Sequence, residues 1–162
     1  QASEELAEFT ELIDSPIFLN AMGRGSLPSS HPNLGSLGRR YGLVKSDTVI
    51  LIGTPIDFRL GYGTDYMFPQ NPRLVEIMMD GAKIGQNRDI TAGIVGDTKA
   101  ILRQIIDELK TRAYKSPGRG WVEEVMTEDA ALKAADTDNE LSSWSKQSTP
   151  PGSEPHGGVS VP

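Results

Sequence analysis

A glycine, an acid and an arginine follow a short apolar run in this chain, and together they could hold a nucleotide. The run is Val49-Ile50-Leu51-Ile52. It stops at Gly53 and continues as Thr54-Pro55-Ile56-Asp57-Phe58-Arg59-Leu60-Gly61-Tyr62-Gly63. Gly53 lets backbone approach a ligand, Asp57 can accept from a ribose hydroxyl or an amide, and Arg59 can pair with a phosphate. The run reads as a strand buried on both faces of a parallel sheet, and ligands of open α/β sheets bind just past such carboxyl ends. The same residues also describe an ordinary strand-to-helix connection with a surface ion pair, and both readings stand.

Other segments offer weaker chemistry. Met22-Gly23-Arg24-Gly25-Ser26-Leu27-Pro28 sets glycines beside an arginine, an arrangement able to cradle a phosphate through backbone N–H groups or simply to turn the chain. It lacks the lysine-hydroxyl ending of a Walker loop and the third glycine of a dinucleotide fingerprint, which argues against a nicotinamide-dependent Rossmann enzyme. Asp97, between Gly96 and Thr98, is suited to cap a helix, and it also sits where an acid could accept from an adenine amino group. His31 lies in a polar loop before Pro32, with no Ser or Cys nucleophile pattern around it. Asp65, Asp89 and Asp107 lack the spacing of paired-carboxylate catalysis. No catalytic residue and no metal ligand set is assigned.

The elements that must position these residues alternate. Leu6, Phe9, Leu12 and Ile13 recur at helical spacing over residues 3–13. Strands are expected at 17–19, 47–52, 74–79 and 90–95, all parallel in one sheet. Short helical segments are expected at 31–44 and 98–110, the latter with Ile101, Leu102, Ile105, Ile106 and Leu109 on one face. This order gives an α/β fold, a Rossmann-like parallel sheet with flanking helices. A right-handed crossover wants a strand on each side of a helix. The opening helix has none before it, so the chain is expected to begin inside a larger domain and to lack that domain's first strand. Residues 121–135 suggest a packing helix with Trp121, Val125 and Leu132 as its apolar contacts. The domain is placed at 1–135, with 136–162 a linker or disordered tail.

Composition narrows the classes. The net charge of −6 argues against a general nucleic-acid binder. There is no cysteine, which removes disulfides and thiolate chemistry, and two histidines are too few for a histidine metal cluster. No apolar run approaches the roughly 20 residues that span a bilayer. The expectation is a cytoplasmic protein with no membrane and no nucleic-acid partner.

Taken in order, several segments resemble the central domain of thiamine-diphosphate-dependent enzymes. They are the Met22–Pro28 loop with His31-Pro32, Ser46-Asp47-Thr48-Val49-Ile50-Leu51-Ile52-Gly53, Asp57-Phe58-Arg59-Leu60-Gly61-Tyr62-Gly63, Ile84-Gly85-Gln86-Asn87-Arg88-Asp89-Ile90 and Gly93-Ile94-Val95-Gly96-Asp97. The set is similar to the acetolactate synthase group, including cyclohexane-1,2-dione hydrolase-like and 2-hydroxyacyl-CoA lyase-like members, over roughly residues 3–110.

The resemblance implies a parent subunit whose other domains hold thiamine diphosphate and magnesium, and a central domain that holds FAD, an ADP moiety or nothing. It implies cofactor contacts at Gly53, Thr54, Asp57, Arg59 and Asp97. It further implies a lyase or carboligase parent, a dimer or tetramer, and a fragment inactive by itself. Two departures stand out. The strand that in many members ends Asp-Ile-Asp reads Met78-Met79-Asp80, and Ser36-Leu37-Gly38-Arg39 stands near the Gly-Met-His-Gly stretch of acetolactate synthases proper. They point to a relative of those synthases. The alternative from another class is a stand-alone, non-catalytic nucleotide-binding module.

Overall fold

The computed structural model describes residues 2–147, with side chains through residue 139. In chain order the elements are α1 (Ser3–Ile13), β1 (Ile17–Phe18), β2 (Leu34–Gly35), α2 (Arg39–Lys45), β3 (Thr48–Ile52), β4 (Arg73–Met78), β5 (Ala92–Val95), α3 (Thr98–Thr111) and α4 (Gly120–Gln147). All the pairings are parallel and flanked by helices, as the alternating pattern implies.

The strands do not form the single sheet expected from sequence. β3, β4 and β5 make one ladder in that order, while β1 pairs with β2 in a separate one. β2 lies inside the stretch read as a helix over 31–44. Asn33 accounts for the difference. It is fully buried, and its amide donates to the carbonyls of Thr10 and Ser15 while its backbone carbonyl accepts from Ile17 N–H at 2.8 Å. That fixes the segment extended beside β1, and the helix starts only at Arg39.

β3 is also less enclosed than a strand buried on both faces. Val49 and Leu51 pack with Ile56, Leu60, Phe68 and Leu74, but Ile50 on the opposite face remains 36 % exposed. A second apolar cluster joins Phe9 of α1 to Leu102 and Ile106 of α3, with Ile52 against it. Acid–base pairs align these helices. Glu5 meets Lys99 and Arg103, and Glu8 meets Arg103 and Lys110, so α1 and α3 run parallel.

α4 is a packing helix, through Val125 as expected but not through Leu132. Val122 and Val125 are buried, whereas Leu132 is exposed. Its inner face also carries Asp129, whose Oδ1 accepts from the N–H groups of Ser36 and Gly38 at 2.7 and 2.6 Å. The helix continues through residue 147, so residues 136–147 are helical where a linker was expected to begin. The expectation for residues 148–162 lies outside the described residues. Among the described residues, no helix is long and apolar enough to cross a membrane.

Candidate functional site

The loop after β3 is built on left-handed backbone. Gly53 has φ +63°, and a Cβ placed there would meet no atom within 4 Å, so the space above it is open. Its N–H is committed to the Ile77 carbonyl at 2.8 Å. The Thr54 hydroxyl turns back to the Ile52 carbonyl at 3.5 Å. Asp57 then heads a 3₁₀ turn, Phe58–Gly63, in which Gly61 and Tyr62 both have positive φ. The Asp57 carboxylate accepts from Arg59 twice, from its backbone N–H at 2.9 Å and from its guanidinium at 2.7 Å. The acid and the base that sequence offered to two parts of a ligand are therefore held by each other.

Two residues without an assigned role fix this loop from outside. Asn87 donates to the Ile56 carbonyl at 2.8 Å. The largely buried Arg88 guanidinium bonds the carbonyls of Gly63, Pro69 and Gln70 and pairs with Asp65 at 3.3 Å. Arginine suits this position because its planar fork serves several acceptors at once. Residues 84–90 stood out in sequence as a motif, but nothing in their types reveals which carbonyls they reach.

The loop after β3 meets the loop after β1 across a groove. Gly53, Thr54 and Arg59 line it from one side, and Asn20, Met22 and Ser26 from the other. The Asn20 Nδ2 is buried and has no hydrogen-bond partner among the described residues. The chain runs outward from this point on both sides, β1 to β2 and β3 to β4 to β5. The groove lies past the carboxyl ends of β1 and β3, the side on which ligands of open α/β folds bind.

The remaining candidates are placed differently. Asp97 follows β5, beyond β4, and is not among the groove's lining residues. It caps α3 by accepting from Ala100 N–H at 2.9 Å. Asp57 does not line the groove either and reaches it only through Arg59. Met78 points inward and is buried, and Asp80 accepts from Ala82 N–H at 3.0 Å. Met79 and Val95 at the strand ends are exposed.

Clear pKa displacements occur on the helices. Bonds from Lys110 and Arg103 hold the Glu8 carboxyl below its ordinary value. Burial pushes the Asp129 carboxyl up, but the Gly38 N–H, Lys133 and the Ser36 N–H outweigh it and the net shift is downward. Among the described residues, no three His, Cys, Asp or Glu side chains group closely enough to hold a metal ion. The sequence also has no Gly-Asp-Gly run. These residues do not fit a diphosphate–magnesium group, and no chemical step is derived through one.

The family described as "Thiamine pyrophosphate enzyme, central domain" matches residues 1–105. Acetolactate synthase of Mycobacterium avium is 33 % identical over 117 residues, which cover 68 % of this chain and 19 % of that protein. Oxalyl-CoA decarboxylase of Escherichia coli is 27 % identical over 117 residues, 72 % of this chain and 21 % of that protein. A thiamin diphosphate-dependent enzyme from Mycobacterium smegmatis superposes with a TM-score of 0.52 at 21 % identity, covering 65 % of this chain and 22 % of the other, a likeness of fold alone. The chain spans about one fifth of the length of the relatives it matches.

Proposed function

This chain belongs to the thiamine pyrophosphate enzyme central-domain family, and on that premise we propose that it is the scaffolding and nucleotide-holding domain of a larger lyase or carboligase resembling acetolactate synthase. The parent makes or breaks a C–C bond next to the carbonyl of a 2-oxo acid or similar substrate. Thiamine diphosphate supplies that chemistry, held with magnesium by other domains of the parent, which is a cytoplasmic homo-oligomer. The domain's own task is to seat an ADP moiety, as FAD or alone, at the groove past β3. The observation that carries this reading is the open groove past the carboxyl end of β3, lined by Gly53, Thr54 and Arg59.

In the isolated chain the seat is weak, because Arg59 is already neutralised by Asp57. Calorimetric titration with ADP and with FAD tests this. Dissociation constants well above 1 μM, weaker than about −8 kcal/mol, are expected. The full-length parent should consume a 2-oxo acid only with thiamine diphosphate and magnesium, and the chain alone should consume none. Micromolar FAD binding by the chain would show that Asp57 does not weaken the seat, and turnover by the parent without thiamine diphosphate contradicts the reading.

A further inference from the structure

Five charged side chains line the groove, and four of them are neutralised. Asp14 pairs with Arg119 at 3.3 Å, Lys45 with Glu124 at 3.6 Å, Asp47 with Arg73 at 3.0 Å and Arg59 with Asp57 at 2.7 Å. Arg39 is the exception. Among the described residues no carboxylate lies within ion-pair distance of it. Its guanidinium donates one hydrogen bond, to the Arg59 carbonyl at 3.3 Å.

The two neighbouring arginines are already occupied. Asp57 bonds both the backbone N–H and the guanidinium of Arg59, and that guanidinium lies 4.9 Å from the centre of the Phe58 ring. Arg40 donates to the Tyr66 carbonyl at 3.1 Å, stacks 4.0 Å from the centre of the Tyr66 ring, and does not line the groove. Arg39 is half-buried at the first residue of α2. Its bond to the Arg59 carbonyl ties it to the loop after β3, at the mouth that Gly53 and Thr54 line. Pro55, Leu60 and Leu43 line the same groove. Apolar walls lower the local dielectric, so one unneutralised charge there attracts an anion more strongly than it would on open surface. A guanidinium has five N–H donors and Arg39 spends one of them, in a long and exposed bond that contributes little to stability.

We propose that Arg39 is the cation that grips the phosphate groups of the ligand in this groove. Arg59, the arginine that sequence offers for that task, shapes the loop through Asp57 instead. The inference rests on the nucleotide reading for the identity of the ligand and adds the residue that holds it. The guanidinium fork presents two parallel donors to phosphate oxygens, and its weak bond to the Arg59 carbonyl is exchanged for them on binding.

NMR titrations of the 162-residue chain with inorganic diphosphate, ADP and adenosine, each to about 10 mM, test this. In the native chain, diphosphate should shift the Arg39 Nε–H resonance and leave that of Arg59 in place. Arg39→Gln keeps a donor for the Arg59 carbonyl and removes the charge. It should weaken diphosphate and ADP at least about tenfold and leave adenosine unchanged. Arg39→Lys should recover part of that loss, while Arg59→Gln should alter each ligand by less than about threefold. ADP binding that survives Arg39→Gln, or that Arg59→Gln damages more, overturns the proposal and leaves the nucleotide reading in place. ADP binding no tighter than inorganic diphosphate, with both lost in Arg39→Gln, overturns the nucleotide reading and supports Arg39 as the anion grip. Failure of the native chain to bind either anion overturns both.

Discussion

The two ladders are held by different forces. The three-stranded half rests on apolar burial, with Val49, Leu51, Ile56, Leu60, Phe68 and Leu74 in one cluster. The two-stranded half pairs only Ile17 with Leu34 and Phe18 with Gly35, and is pinned by polar side chains reaching from other elements. Asn33 donates to α1 and to the turn after it, and accepts from Arg119 at 3.0 Å. Asp129 of α4 holds the N–H groups of Ser36 and Gly38. Two-residue strands bury too little to hold themselves, so precise hydrogen bonds do the positioning. Such a region is sensitive to single polar atoms and to pH, while its neighbour is sensitive to volume.

The sharpest way to break this contrast is through volume. Phe68 is fully buried, and Phe68→Ala should cost about 3–5 kcal/mol by chemical denaturation, enough to threaten folding. A loss under about 1 kcal/mol would mean that the three-stranded half is not held by that cluster. Next comes Asn33→Ala. It removes the side-chain donor to the Thr10 and Ser15 carbonyls and leaves Arg119 with Asp14 alone, and should cost about 2 kcal/mol. Amide exchange should accelerate around β1 and β2 before β3 and β4. Uniform acceleration would show the halves to be one cooperative unit.

Asp129→Asn is the mildest change and carries a pH signature. It removes a charge that two backbone N–H groups and Lys133 stabilise, and should cost about 1–2 kcal/mol near neutral pH. The folded-state carboxyl is held below its ordinary value, so its stabilisation is complete above about pH 3.9. It is lost as pH falls through the depressed folded value. The advantage of the native protein over the variant should therefore shrink on acidification. An advantage that does not change between pH 7 and pH 3 would remove Asp129 as the anchor.

The amino-acid sequence by itself determined the elements whose signals are local. The apolar runs of β3 and β4 and the helical face of α3, with Asp97 at its cap, follow from periodicity and capping chemistry that neighbouring residues carry. The ordered motifs also carried the family resemblance, and the family match over residues 1–105 agrees with it. Tertiary structure alone decided what depends on partners distant in the chain. Leu34-Gly35 is a strand only because β1 and the Asn33 amide hold it extended. Arg88 positions the loop after β3 only because the fold brings the Gly63, Pro69 and Gln70 carbonyls within reach of its fork. Gly53, Thr54 and Arg59 share a groove with Asn20, while Asp97, an equal candidate by residue type, lies beyond β4. Spacing along the chain sets periodicity and caps, but which groups meet across strands depends on the order in which those strands pair, and no local pattern encodes that order.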